Sequence, residues 1–181
     1  MRKAVILSVF ILFLTGCAIG IKLADVSTTN LKHMIKVTSP QFEAGDVLPS
    51  IFTCDGEGVS PELHISNVPE GSKSLAVILD DPDAPAGTFT HWLVYNLSPD
   101  TAIIKENSLP AEAKVGNNSG RKQSYFPPCP PSGSHRYVFH VYALDKMLDF
   151  SNTPDRRQVD EAISGALIDS GELTAVYSRK N

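Results

Sequence analysis

Cysteine is scarce in this chain, with three in 181 residues. No Cys-x-x-Cys or His-Glu-x-x-His spacing occurs, which removes the common zinc-site signatures. No Gly-x-Ser-x-Gly elbow is present either, so the usual setting of a hydrolytic serine is missing. Basic residues never form a run, and the formal charge is −4, which argues against a nucleic-acid partner. There are no internal repeats, and the only sustained apolar run stops well short of the roughly 20 residues a membrane-spanning helix needs.

That run is instructive. Arg2 and Lys3 precede Ala4–Leu14, which is the charged-then-apolar order of a secretory signal. It ends in Leu14-Thr15-Gly16-Cys17, a pattern that resembles the bacterial lipobox, in which the cysteine sulfur receives a diacylglycerol before cleavage. The resemblance implies residues 1–16 as a lipoprotein signal peptide and Cys17 as the lipidated residue. Acyl chains contribute about 0.8 kcal/mol per buried CH₂, so more than one chain anchors stably without a spanning helix. The expected location is the bacterial cell envelope, held to a membrane by lipid. Ala18, rather than an aspartate, favours the periplasmic face of the outer membrane if the source is Gram-negative.

Without residues 1–16, 165 of the 181 residues remain, the size of one domain. A chain of that length buries about 70% of its unfolded surface and can stand without covalent staples. Residues 17–33 lack periodicity and are expected to act as a tether, reaching roughly 20–25 Å if flexible. The domain is then expected over 34–181. Cys54 and Cys129 are left as either a disulfide, which an exported protein would retain, or two buried thiols.

Within the domain, Leu75–Leu79, Phe89–Tyr95 and Tyr137–Leu144 are short apolar, β-branched and aromatic runs bounded by Pro, Gly, Asp or Ser. They read as buried strands, the last two with both faces covered. One helix is expected near the C-terminus. Asn152 or Thr153 caps it, Pro154 and Asp155 open it, and Val159, Ala162, Ile163, Ala166 and Leu167 form its apolar stripe. Gly171 is expected to end it, with Leu173–Tyr177 as a closing strand. The pattern is mainly β with one or two peripheral helices, hence a sandwich or barrel.

Three polar clusters sit at strand ends: Asp80-Asp-Pro-Asp-Ala-Pro85, His91-Trp92 and Gly133-Ser-His-Arg-Tyr137. Singly, each has an ordinary structural explanation, such as an Asp-Pro-Asp turn. Together, and with Thr53-Cys-Asp-Gly56, Ser60-Pro61 and Pro128-Cys-Pro-Pro131, they resemble the phosphatidylethanolamine-binding protein family, in particular its bacterial Raf-kinase-inhibitor-like branch. The resemblance runs from about Ile35 to Tyr177. It implies a Greek-key β-sandwich of two antiparallel sheets with a small anion-binding cavity at one edge. Carried onto this sequence, Asp81, Pro85, His91, His135 and Tyr137 would line the pocket, with Asp83 and Arg136 supporting it as a pair. Phe126-Pro127 stands where bacterial relatives usually carry Gly-Pro, which alters the expected rim.

The chemistry of these residues suits a phosphate-type anion or a phospholipid head group. Two imidazoles and a phenol supply donors, and Asp81 orients a histidine or meets an ammonium. The resemblance implies no metal and no cofactor, and the chain is read as a binding protein rather than an enzyme. Two competing readings use the same residues or a neighbouring surface. One is a hydrolase with Ser134 as nucleophile, or a metal at Asp81, Asp83, His91 and His135. The other is an inhibitor of an envelope or host kinase or protease, the role that eukaryotic relatives suggest.

Overall fold

The computed structural model describes residues 35–179. The signal peptide, Cys17 and the tether expected over 1–33 lie outside the described residues. Among the described residues, no helix is long and apolar enough to cross a membrane.

Two antiparallel sheets make up the domain. The smaller has the order β1 (Lys36–Thr38), β2 (Leu63–Ser66), β5 (Ile103–Ile104). The larger has the order β6 (Lys114–Val115), β4 (Phe89–Leu97), β3 (Ser74–Asp81), β7 (His135–Leu144), β8 (Leu167–Tyr177). After β6 the chain makes a long return that places β7 beside β3, the kind of crossing a Greek key requires. Among the described residues the fold is therefore mainly β, with one α-helix, α1 (Arg156–Ser164), and a single 3-10 turn at Ser50–Phe52.

The strands alternate as period-2 geometry demands. Leu75, Val77 and Leu79 of β3 enter the cluster between the sheets, where they meet Val37, Leu63 and Ile65 of the small sheet and Tyr137, Phe139 and Val141 of β7. Ala76 and Ile78 point the other way, into a second cluster with Leu93, Val159 and Ile163 that seats α1 on the outer face. Strand β3 is thus buried throughout, and β4 nearly so. Strand β7 departs from expectation: only one face is fully covered, and on the other, which α1 covers in part, Val138, His140 and Tyr142 are half-buried.

The helix also begins and ends differently from the expected span. Its cap is Asp155, whose carboxylate accepts from Gln158 N–H at 2.9 Å, while the Gln158 side chain accepts from Asp155 N–H at 3.0 Å. This reciprocal capping box outcompetes Asn152 or Thr153 because it satisfies two donors at once. The helix stops at Gly165, and Leu167 opens β8 instead of finishing the apolar stripe, where it is half exposed. Pairing with β7 over nearly its whole length outweighs one further helical turn. Gly171 consequently lies inside β8, where a Cβ would collide with the Ile35 carbonyl.

Candidate functional site

The larger sheet's β3 ends in Asp80-Asp81, and the pleat sends the two carboxylates to opposite faces. Asp80 goes to the helix side, where it accepts from the Thr90 hydroxyl at 2.7 Å and from Arg156 at 2.9 Å. Asp81 stays on the inter-sheet side. Its Oδ2 accepts from His135 Nδ1–H at 2.7 Å and its Oδ1 accepts from Asp83 N–H at 2.9 Å. Both members of the Asp81–His135 pair are over 90% buried at the side chain.

His91 reaches the same side only because β4 is irregular there. Leu79 pairs with Trp92 and Asp80 with Thr90, so His91 is an extra residue opposite none. Such a bulge breaks the alternation and re-aims a side chain. Without it, His91 would follow Leu93 towards α1. Its ring is then fixed by Phe126: His91 Nδ1–H donates to the Phe126 carbonyl at 2.7 Å, and Phe126 N–H donates to the His91 carbonyl at 2.9 Å. Burial pushes the His91 imidazole below its ordinary pKa, against smaller opposing pulls from that carbonyl and from Asp81. At neutral pH the ring is uncharged, with its proton on Nδ1. In both histidines Nε2 has no protein partner among the described residues.

These side chains surround a cavity of about 180 Å³ lined by Asp81, Ala84, Pro85, Phe89, His91, Phe126, Cys129, Pro131 and His135. Four of the expected pocket residues, Asp81, Pro85, His91 and His135, thus share one wall system. Tyr137 does not line it. Its side chain is fully buried behind His91, with the ring centroids 5.4 Å apart, and belongs to the inter-sheet core. Its hydroxyl has no hydrogen-bond partner among the described residues. Burial raises the phenol's pKa, and the nearby Asp81 carboxylate adds to this without completing a well-formed hydrogen bond. Ser134 is exposed and is not among the lining residues.

Asp83 and Arg136 stand outside the cavity as a clamp. The guanidinium donates to both carboxylate oxygens, at 2.9 and 2.7 Å, and Arg136 N–H adds a third bond at 2.9 Å. This holds the Asp83 carboxyl well below the usual carboxylate range. The clamp ties the Asp80–Pro85 turn to the start of β7, on which Asp81 and His135 respectively sit. The pair is too exposed to contribute much stability; its role is to fix the turn.

The aromatic walls were not singled out from sequence. Phe89 lies 4.8 Å from His91 and 5.3 Å from Phe126, centroid to centroid. Phe126 itself packs over Gly120, where a Cβ would come within 3.0 Å of its ring. Phe89 gave no separate signal, because an aromatic opening a buried strand is ordinary. Phe126 was visible only as a departure from the expected Gly-Pro. Cys54 and Cys129 are joined as a disulfide, with Cα atoms 5.4 Å apart. Among the described residues, no His, Cys, Asp and Glu side chains gather in a metal-holding group.

Comparison with known proteins agrees with this fold. The family model described as phosphatidylethanolamine-binding protein matches residues 38–178. A UPF0098 protein of Pyrococcus abyssi is 37% identical over 99% of this chain and 100% of its own length. One from Methanothermobacter thermautotrophicus is 43% identical over 73% of this chain and 91% of its own. The crystal structure of a phosphatidylethanolamine-binding protein homologue from Chlamydia trachomatis superposes with a TM-score of 0.78 at 38% identity, covering 82% of this chain and 99% of that one. YbcL of E. coli, described as a member of the mammalian family, gives 0.76 at 31% identity, with 81% and 99% covered. By sequence and by fold, the chain belongs to the phosphatidylethanolamine-binding protein family, whose architecture supports the binding of a small ligand.

Proposed function

We propose that this chain is a lipid-anchored envelope protein that holds a small phosphate-type group, free or as a phospholipid head group, in the Asp81–His91–His135 cavity. The observation that carries this reading is that two imidazoles line one small cavity, each ring fixed through Nδ1 by a different protein acceptor and each Nε2 left without a protein partner among the described residues. When protonated, both rings donate to an anion, and Asp81 supplies the imidazolium of His135 with an ionic partner. The volume suits a phosphate-sized group with a short substituent, not a whole lipid or a nucleotide. Stiff proline-rich walls lose little entropy on binding. No catalytic role is assigned: two histidines and a carboxylate serve here to bind and orient. The anchor at Cys17 belongs to the same proposal and would keep the cavity near head groups, raising their effective concentration.

Protonation gives the test. Because His91 is held neutral at pH 7 by burial, affinity for an anion is expected to rise as pH falls below about 6.5, the unperturbed histidine value. Calorimetric titration with phosphorylethanolamine at pH 5.5 and 8 measures this. Sulfate, whose charge is constant over that range, separates protonation of the protein from that of the ligand. Equal sulfate affinity at both pH values would sink the reading, as would binding undiminished in His135→Ala. Metabolic labelling with palmitate, lost in Cys17→Ser, tests the anchor.

A further inference from the structure

The cavity's outer wall is the segment Phe126-Pro127-Pro128-Cys129-Pro130-Pro131, of which Phe126, Cys129 and Pro131 face the ligand space. Four of these six residues are prolines and carry no backbone N–H. The wall therefore cannot be stitched to a strand by a ladder of its own donors. Its near end is held by the paired hydrogen bonds between Phe126 and His91. Further along, the attachments are the Cys54 N–H bond to the Pro128 carbonyl at 3.0 Å, the seat of Pro127 over Gly58, and the Cys54–Cys129 disulfide.

The other side of that disulfide is well anchored. Thr53 Oγ1 donates to the Ser50 carbonyl, and Asp55 accepts from the Tyr177 hydroxyl at 2.7 Å and from Arg179. Neither cysteine belongs to the inter-sheet core or to the cluster under α1. Both are solvent-exposed, so a reductant can reach them.

From this placement we infer that the Cys54–Cys129 disulfide positions the cavity wall and makes ligand binding depend on redox state, the oxidised chain binding and the reduced chain binding weakly. The inference rests on the proposed phosphate-type binding. The chemical step is thiol–disulfide exchange with a dithiol reductant. One reductant thiolate attacks a sulfur of the bridge, forming a mixed disulfide and releasing the other cysteine as a thiolate that takes up a proton. The reductant's second thiolate then closes its own disulfide and expels the remaining cysteine. Two electrons and two protons pass to Cys54 and Cys129, and the dithiol leaves oxidised. The wall keeps one hydrogen bond and its contact with Gly58 at its centre, while the sandwich keeps both cores.

The experiment compares the oxidised domain, the dithiothreitol-reduced domain and the Cys54→Ser/Cys129→Ser double variant. Sulfate and phosphorylethanolamine affinities are measured at pH 5.5, with circular dichroism and thermal melts to report the fold. NMR hydrogen exchange of the Phe126 amide reports the wall. The expected result is at least a tenfold loss of affinity in both bridge-free forms, a retained β spectrum, and faster exchange at Phe126. Unchanged affinity with the fold intact overturns the inference. Global unfolding on reduction also overturns it, since the bridge would then staple the whole domain. If the oxidised chain binds neither probe, the binding proposal fails by itself. Exchange at Phe126 then decides the wall: a tenfold acceleration on reduction upholds its positioning by the bridge, and no change refutes it.

Discussion

Asp81→Asn is the substitution that most directly interrogates the site. The carboxylate accepts from His135 Nδ1–H on one oxygen and from Asp83 N–H on the other. Asparagine preserves the shape but has only one accepting atom. The Asp83 amide can only donate, so it retains the asparagine oxygen, and the asparagine NH₂ turns towards His135. The imidazole must then accept at Nδ1 and carry its proton on Nε2, a reversed tautomer. A charge-assisted bond worth about 1.5–3 kcal/mol gives way to a neutral one worth about 0.5–1.5. Both side chains are over 90% buried, so solvent screens the change little, and a loss of about 1–2 kcal/mol is expected. For a domain of this size that is about 3–6 °C in Tm. Long-range ¹H–¹⁵N spectra of the histidine rings report the tautomer directly. The wild type should show His135 protonated at Nδ1, and Asp81→Asn at Nε2. On the proposed function, the new donor and the lost negative charge should strengthen sulfate binding at pH 8. A wild-type ring already protonated at Nε2, or an unchanged tautomer in the variant, would refute the assignment.

Acid should destabilise the fold before most carboxylates titrate. Burial lowers the pKa of His91 and of His140, so between pH 6.5 and their folded values the unfolded chain binds more protons. Stability is then unaffected above about pH 6.5 and falls below it, by at most about 1.4 kcal/mol per pH unit per histidine. Urea titrations from pH 8 to 5 measure the slope; a His91→Gln/His140→Gln variant should lack this loss, and an equal slope in that variant would show that other groups cause it. Gly171→Ala is expected to destabilise, because the new Cβ collides with the backbone carbonyl of Ile35 and either that residue or β8 must move. Overpacking of this kind costs about 1–3 kcal/mol, whereas Gly165→Ala, whose nearest neighbours are 4.0 Å away, should stay near wild type in the same denaturation series.

The strands around Leu75, Phe89 and Tyr137 were legible because each is a short apolar run closed by turn residues, and burial on both faces of β3 left little ambiguity. The polar ends of those strands were legible as a set, since Asp81, His91 and His135 stand where rigid loops meet strands. What placed His91 in the cavity was not legible. It depends on a one-residue bulge, and the alternation of β4 alone would point the ring towards α1. Tyr137 was expected on the wall because the family resemblance carries it there with His135. It shares that face, but the sheet covers it completely. The helix end was overrun because its apolar spacing continues smoothly through Ala166 and Leu167, while the competing partner, β7, lies more than 20 positions earlier in the chain. Cys54 and Cys129 are separated by 75 positions, and only the folded loops bring them together.

The segment from Gly45 to Leu48 runs along the free side of β8, with Gly45 N–H bonded to the Thr174 carbonyl, Val176 N–H to the Asp46 carbonyl, and Leu48 N–H to the Val176 carbonyl. Exposed strand edges invite another chain to add a strand, which is how native domains begin to aggregate. Here a short irregular segment occupies that position before a neighbour can. The consequence concerns colloidal behaviour more than folding energy. A truncation that begins after residue 48 would uncover the Thr174–Val176 edge and would also remove β1 and the core side chains Ile35, Val37, Phe42 and Leu48. Such a product should self-associate on concentration, which matters for any protein crowded onto a surface.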